Sequence, residues 1–454
     1  MKKISEALDQ YTGICKEAIL TSAVKLSKRF EKVIIEVLLL YMVIPGRINF
    51  TQLGKYGRHG EQCYRQNFGR LRSKSLNWLR FNVSLALRYF GSDGRKAIAI
   101  DPSYISKSGK KTPHIGRFWS GCAGAVKHGL EIMGLGLIDI DSHNCMMLRA
   151  HQTPGNFELK KRNMTLADHY TAVIKRYRRE LLKLSHLVVA DAFFSTRTFY
   201  EGIHQHGFHL VSRFRDNAHL CYLYEGERTG KRGRPKMIDG KIDLKKLDMS
   251  RMLPIFVDGL PGIAYTLIAY SKALKCKVRL VIWIMPDKKR KLFFSTDTTL
   301  SGEEVLDFYR TRFQIEFCFR DAKQFCGLTD SQARDTNKLD CAFNASFASL
   351  NVAKVMMKER QMEYSMSSFK LLMTNTFLMK RIFDLSRYRP NQTLINHIFK
   401  CTCSLTKSCG SVYTRTVNVK ATSQSPAESG VLRNDCQGYT SASCQFLYHI
   451  NGIW

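Results

Sequence analysis

The sequence predicts an α/β fold in which a mixed sheet carries helices on both faces. Two short apolar runs, residues 96–100 (KAIAI) and 186–190 (HLVVA), have the composition of buried strands. Between them, over residues 166–184, apolar residues recur at helical spacing on one side of the chain. Strands that alternate with amphipathic helices along a chain are typical of sheets that are covered by helices.

Further predicted elements complete this pattern. Two strands at residues 129–141 and 145–151 precede the amphipathic helix, and a helix at 196–205 leads to a strand at 209–213. Three strands, a helix, a strand, a helix and a strand are the element order of an RNase H-like core. We therefore expect an RNase H-like mixed sheet, with its first part in residues 95–215.

The rest of the chain divides by composition and residue pattern into five further regions. Residues 1–92 are predicted to be a helical N-terminal DNA-binding region, in which 48–57 and 61–68 resemble a helix-turn-helix, although other helical hairpins have the same pattern. The other regions are a β-rich basic insertion (216–290), the remainder of the core with one long helix (291–330), a helical C-terminal region (331–400) and a tail without periodicity (401–454). That tail is expected to be disordered or atypical sequence.

The charge of the chain points to a polyanionic partner. Its 454 residues include 71 Lys and Arg but 38 Asp and Glu, which gives a formal net charge of +33. An excess of this size favours nucleic acid as the partner, while a generally basic protein with solvated charge is the alternative. The longest apolar run, residues 33–44, is too short to cross a bilayer, the N-terminus has no signal-peptide pattern, and the 14 cysteines include no C-x-x-C pair. These features predict a cytoplasmic protein.

Three acids are candidates for a catalytic site. Asp101 and Asp191 each follow an apolar strand, and strand ends of α/β sheets that open onto a crevice are where ligands bind, although such an acid is often only a turn residue. Glu316 lies in a helix that a capping box at Ser301 is predicted to begin. On one continuous helix, Tyr309, Arg312, Glu316 and Lys323 would share a stripe about 21 Å long. A solvated face with incidental ion pairs is the alternative interpretation of that stripe.

Tyr309-x2-Arg312-x3-Glu316-x6-Lys323 resembles the YREK signature of insertion-sequence DDE transposases. Asp101, within IDPSYISKSG, and Asp191, within VVADAFFS, are similar to the first and second aspartates of that family. The resemblance covers about residues 45–385 and includes the long insertion before the glutamate helix.

The resemblance implies an activity. Asp101, Asp191 and Glu316 would hold two Mg²⁺ ions, with Mn²⁺ as a substitute, while Tyr309, Arg312 and Lys323 would contact the cleaved DNA end. The family's reaction cuts double-stranded DNA at terminal inverted repeats, passes through hairpin ends, and joins the 3′-OH to target DNA. It also implies a dimer in the complex that pairs two ends, and a location at the bacterial nucleoid. An RNase H-like nuclease or resolvase without strand transfer, and an inactive DNA-binding remnant, are the alternatives.

Two weaker signals lie outside the signature. The basic cluster in the insertion resembles an AT-hook core, and it is either a DNA contact or a basic surface loop. Its cations are Lys231, Arg232, Arg234 and Lys236. Trp119 has two interpretations, packing in the core and stacking on a DNA base, and the sequence favours the core.

Overall fold

The protein is described here by a computed structural model, which covers residues 2–22, 25–69, 76–227, 236–257, 259–386 and 393. Its helices are α1 (Lys2–Thr21), α2 (Lys28–Val43), α3 (Phe50–Tyr56), α4 (Glu61–Gly69), α5 (Trp78–Phe90), α6 (Asn156–Lys161), α7 (Leu166–Leu181), α8 (Arg197–His204), α9 (Gly302–Thr311), α10 (Gln314–Phe325), α11 (Thr336–Glu359) and α12 (Met366–Ser386). Its strands are β1 (Lys96–Ser106), β2 (Gly116–Ser120), β3 (Ala125–Asp139), β4 (Asn144–Gln152), β5 (Leu187–Val189), β6 (His209–Phe214), β7 (Leu220–Leu223), β8 (Ile238–Lys241), β9 (Leu253–Ile255), β10 (Ile263–Ser271), β11 (Cys276–Ile284) and β12 (Arg290–Ser295).

The described strands form one continuous mixed sheet. Its order is β2–β3–β1–β5–β6–β12–β11–β10–β7–β8, with β4 paired to β3 and β9 paired to β10. The pairs β1–β5 and β5–β6 are parallel, and the pairs of β3 with β1 and β4 are antiparallel. With helices packed on these strands, the predicted RNase H-like α/β fold is confirmed. The insertion contributes β7 to β11 and joins the core sheet through β12, which pairs with β6.

Strand β1 is longer than the sequence indicated, and this changes the position of Asp101. The prediction that the strand ends at this aspartate is wrong, because β1 continues to Ser106 and pairs with β3 over its whole length. Its parallel partner β5 is only three residues long and pairs with Ile98 and Ala99. Asp101 therefore lies just beyond the point at which β1 loses its parallel neighbour. This position is equivalent to the end of a parallel strand, which is where α/β sheets bind their ligands.

The one long helix predicted to begin at the capping box is two helices. Ser301 does cap α9 through a capping box with Glu304, but α9 ends at Thr311 and α10 begins at Gln314. At the junction the amide of Glu316 donates to the carbonyl of Phe313, three residues earlier instead of four. This tightened turn keeps the backbone helical while it breaks the regular pattern, so the four signature residues are not on one ideal helix.

Two buried asparagines on α11 attach that helix to strand β4. The side-chain amide of Asn351 accepts from the backbone N–H of Met147 (3.2 Å) and donates to its carbonyl (2.6 Å). Asn344 makes the same pair of bonds with Ala150, at 2.9 and 3.2 Å. The open side of β4 is thus capped by side chains of a helix, which satisfies backbone groups that burial would otherwise leave without partners.

The N-terminal helices pack against α11 and α12. The helices predicted for residues 48–57 and 61–68 are present as α3 and α4, and the ring of Phe50 meets that of Phe68 edge-on at 5.2 Å. None of the helices in the described part of the chain is long and apolar enough to cross a membrane. Residues 228–235 of the basic cluster and the tail at 401–454 lie outside the described residues.

Candidate active site

The first acid, Asp101, is mostly buried at the centre of the sheet. It follows a fully buried run of β1 and its side chain is 19 % exposed. Its partner across the antiparallel pair is Gly134 of β3. A Cβ at this glycine would come within 2.6 Å of the Phe319 ring on α10. The glycine thus allows the glutamate helix to approach the strand that carries Asp101.

Asp191, the second acid, is placed by the end of β5. It caps a short 3₁₀ turn, and its carboxylate accepts a hydrogen bond from the amide of Phe193 at 3.0 Å. Its own carbonyl accepts from the hydroxyl of Ser212 on β6 at 2.8 Å. These bonds fix the backbone on both sides of the carboxylate, so the acid is held at the edge of the sheet next to β1.

Glu316, the third acid, lies on the first turn of α10. Its side chain is 34 % exposed and one carboxylate oxygen accepts from Arg312 at 3.0 Å. Ile315 and Phe319 on the same helix are buried, so α10 packs its apolar side against the sheet. The first turn of the helix is also where a carboxylate is favoured by the backbone dipole.

Arg312 lies between two of the acids. One guanidinium nitrogen is 3.5 Å from Asp101 and another is 3.0 Å from Glu316, while the side chain is only 11 % exposed. The central carbon of the Arg312 guanidinium lies 5.6 Å from the centre of the Tyr309 ring. Its buried Nε–H has no hydrogen-bond partner within the described part of the chain. The arginine therefore offsets part of the negative charge of Asp101 and Glu316 and retains one donor for a further group.

The acids also influence one another electrostatically. Burial raises the pKa of Asp101 from its ordinary value of 3.8 to about 7, and repulsion from Glu316 and Asp191 adds to this, although Arg312 and Lys323 oppose it. Burial likewise raises the pKa of Glu316, with a contribution from Asp191. Burial alone would lower the pKa of Arg312, but the nearby carboxylates raise it above its ordinary value. The three acids thus form one interacting cluster.

The remaining signature residues border this cluster. Lys323 donates to the hydroxyl of Ser103 on β1 at 2.9 Å, two residues beyond Asp101, and burial lowers its pKa. The Tyr309 ring packs on Phe293 of β12 with centroids 4.9 Å apart. Burial raises the pKa of this tyrosine, and Asp191 also raises it. The structure therefore brings all six core-site residues together despite the helix break.

The donor set fits a hard divalent cation, but its present spacing does not enclose one. Across the described residues, no three His, Cys, Asp or Glu side chains are arranged closely enough to hold a metal ion. At this site the guanidinium of Arg312 fills the space between Asp101 and Glu316. Three carboxylates that repel one another are nevertheless the oxygen ligands that Mg²⁺ prefers, and a cation would relieve the repulsion that raises the pKa of Asp101.

The basic cluster of the insertion is separate from these residues, as far as the structure describes it. Lys236 is exposed. Its Nζ lies 4.4 Å from the centre of the Tyr224 ring and 2.9 Å from a carboxylate oxygen of Asp239. Lys231, Arg232 and Arg234 lie outside the described residues.

Sequence reasoning missed two residues at the site. Ser103 receives the hydrogen bond from Lys323, and nothing distinguishes it among the many serines of the chain. Arg213 on β6 lies close enough to Tyr309 to lower its pKa, against the effect of burial. Its position on the strand next to that of Asp191 was the available signal, because neighbouring parallel strands end at the same edge.

Comparison with known proteins gives one family match, which covers part of the chain. Residues 141–352 match the family model described as "Transposase DDE domain". The matched region contains Asp191 and Glu316, and Asp101 precedes it on β1. No curated protein matches the chain. The match over residues 141–352, together with the RNase H-like sheet on which the three acids converge, makes this part of the chain similar to a transposase DDE domain.

Proposed function

We propose that this chain cuts DNA at the ends of a mobile element and joins the freed 3′ ends to target DNA, with Asp101, Asp191 and Glu316 as its catalytic acids. The observation that carries the proposal is the convergence of these acids from β1, the end of β5 and α10 around one buried arginine. Acids that are distant in sequence and buried together are costly to maintain, so their position favours a catalytic role.

The acids would hold Mg²⁺, or Mn²⁺ in its place, and the family resemblance suggests two ions. A divalent ion supplies Lewis acidity for phosphodiester attack and neutralises charge on the attacking and leaving oxygens. In this chain Asp101 has the other two acids as neighbours, and all three carboxylates would contribute oxygen ligands. Metal binding would displace Arg312 from between Asp101 and Glu316, and the displaced guanidinium would be free to bind a phosphate.

Tyr309, Arg312 and Lys323 would hold the phosphates of the cleaved end. The unpartnered Nε–H of Arg312 adds a donor for a phosphate oxygen, and Lys323 is already held at the site by Ser103. The net charge of +33 supplies a long-range attraction for DNA. Helices α3 and α4, and the cluster around Lys236, are further candidate DNA contacts. Hairpin ends, a dimer that pairs two ends, and association with the nucleoid follow from the family resemblance.

The test compares Glu316→Gln with Glu303→Gln, a first-turn substitution in α9 outside the acid cluster. The DNA carries the inverted repeats that flank the gene, with Mg²⁺ and a target plasmid present. We expect E316Q to lose cleavage while its DNA binding persists, and E303Q to cleave like the wild type, because only the former loses a charged metal ligand.

Each outcome of this assay assigns a function. Undiminished cleavage by E316Q would remove the acid from the mechanism and overturn the proposal. Cut ends that are never joined to the plasmid would identify a nuclease or resolvase. Absence of any Mg²⁺-dependent cleavage by the wild-type protein would identify an inactive DNA-binding remnant.

A further inference from the structure

A basic hairpin projects from the sheet beside the acid cluster. We define it as residues 107–128, which include β2, the turn at 121–124 and the exposed start of β3. Between Pro102 and Leu130 the chain has five Lys and Arg residues and no Asp or Glu. These cations are Lys107, Lys110, Lys111, Arg117 and Lys127. Such a segment has a uniformly positive surface, which favours a polyanion over an ordinary protein partner.

Trp119 is exposed on this basic hairpin, and the prediction that it packs in the core is wrong. Its exposed fraction is 61 %, and its partner across the strand pair, Val126, is 56 % exposed. Directly opposed residues share a face of a strand pair, so tryptophan and valine form one apolar patch. Arg117 and His128, the neighbouring opposed pair on that face, are also exposed. The ring therefore lies on the same exposed face as Arg117 and lacks the cover that a core residue would have.

The basic hairpin is anchored close to the acids. The Tyr104 hydroxyl donates to the carbonyl of His128 at 2.6 Å, and β1 connects Tyr104 directly to Asp101. Lys323 lies close enough to Cys122, in the turn of the hairpin, for the two groups to interact electrostatically. The turn and the acid cluster thus border the same lysine, and a DNA end held by that lysine would reach the hairpin.

We propose that the basic hairpin binds the cleaved DNA end, with Trp119 stacked on an unpaired base beside the scissile phosphate and Arg117 and Lys127 on the backbone. The inference rests on the proposed function, because it takes a cut DNA end as the ligand. An aromatic ring surrounded by cations is the arrangement that single-stranded nucleic acid binds, since bases stack on the ring while cations meet phosphates. A side chain of this exposure can present a ring face without a change in fold.

The test separates stacking from general hydrophobicity and general binding. Trp119→Leu keeps an apolar side chain, Trp119→Phe keeps an aromatic ring, and Phe256→Ala removes another exposed aromatic, which is 90 % exposed in the insertion. All are made in the E316Q background so that DNA is not cut. The probes are two duplexes ending in the flanking inverted repeat, one with 2-aminopurine as an unpaired end base and one with it paired internally.

We expect the E316Q parent, W119F and F256A to quench the unpaired probe and bind it alike. W119L should leave the probe unquenched and bind it about tenfold more weakly, while its affinity for the internally labelled duplex changes little. Circular dichroism checks that W119L is folded.

Equal quenching by W119L and the E316Q parent would overturn the inference, and so would an equal loss of affinity for both probes. Neither result depends on cleavage. Failure of the hairpin inference and failure of the proposed function are therefore distinguishable.

Discussion

Replacing Asp101 with asparagine should stabilise the metal-free protein, although it should abolish cleavage. The folded protein raises the pKa of this carboxyl from 3.8 to about 7, through burial and through its acidic neighbours. Its ionised form is therefore disfavoured by folding. Asparagine resembles the protonated acid in shape and stays neutral at every pH, so the variant avoids that cost.

The size of the effect follows from the pKa difference. Below pH 3.8 the carboxyl of Asp101 is protonated in both the folded and the unfolded chain, so its ionisation does not affect stability. As the pH rises from 3.8 towards about 7 the unfolded chain loses its proton first, so stability falls by about 1.4 kcal/mol per pH unit. Above the folded pKa the loss is complete at about 4 kcal/mol. D101N should thus match the wild type near pH 4 and exceed it by about 4 kcal/mol near pH 8.

The measurement is the free energy of unfolding by urea, at several pH values with a chelator present. Asp141→Asn is the matched control, because Arg95 bonds to that exposed carboxylate and holds its pKa below the usual value. D141N should lower the free energy of unfolding slightly at neutral pH, whereas D101N should raise it. A D101N variant that is less stable than the wild type near pH 8, or a difference that does not change with pH, would refute the reasoning.

Two further predictions concern metal and packing. Mn²⁺ should bind about tenfold more tightly near pH 8 than near pH 6, because Asp101 must lose its proton before it can bind the ion. Titration calorimetry measures the two affinities, and equal values would contradict the prediction. Asn351→Leu should lower the free energy of unfolding by about 2–5 kcal/mol, because it leaves the buried N–H and carbonyl of Met147 without partners. Urea denaturation measures this free energy, and a decrease below about 1 kcal/mol would contradict the prediction.

The sequence was most informative where chemistry and periodicity coincide. Buried strands and the capping box at Ser301 have strong local signals, and the structure places α9 and the core strands accordingly. The break after Arg312 has no such signal, because Arg312 and Phe313 keep helical dihedral angles. Only the spacing of the backbone hydrogen bonds changes there, from four residues to three. The extension of β1 past Asp101 was hidden for another reason. It depends on pairing with β3, and long-range pairing is not visible in a local pattern.

Side chains whose role depends on distant partners were also beyond prediction. Asn344 and Asn351 look like ordinary polar residues of a helix, and their function appears only when β4 lies beside them. Trp119 shows the reverse, since an aromatic residue normally indicates a core and here is exposed. In both cases the environment is supplied by chain segments far away in sequence.

Arg312 links the electrostatic cost of the site to the proposed activity. Without metal, it provides the cation between Asp101 and Glu316, so the buried acids are tolerated and the fold remains intact. Under the proposed function the same guanidinium binds a phosphate of the DNA end. Release of Arg312 by a bound metal would then favour DNA binding, and DNA that draws Arg312 away from the acids would favour metal binding to the same extent, since coupling of this kind is reciprocal. Under the proposed function, such a site would hold its metal more weakly without a DNA end than with one, and phosphodiester chemistry would be confined to bound DNA.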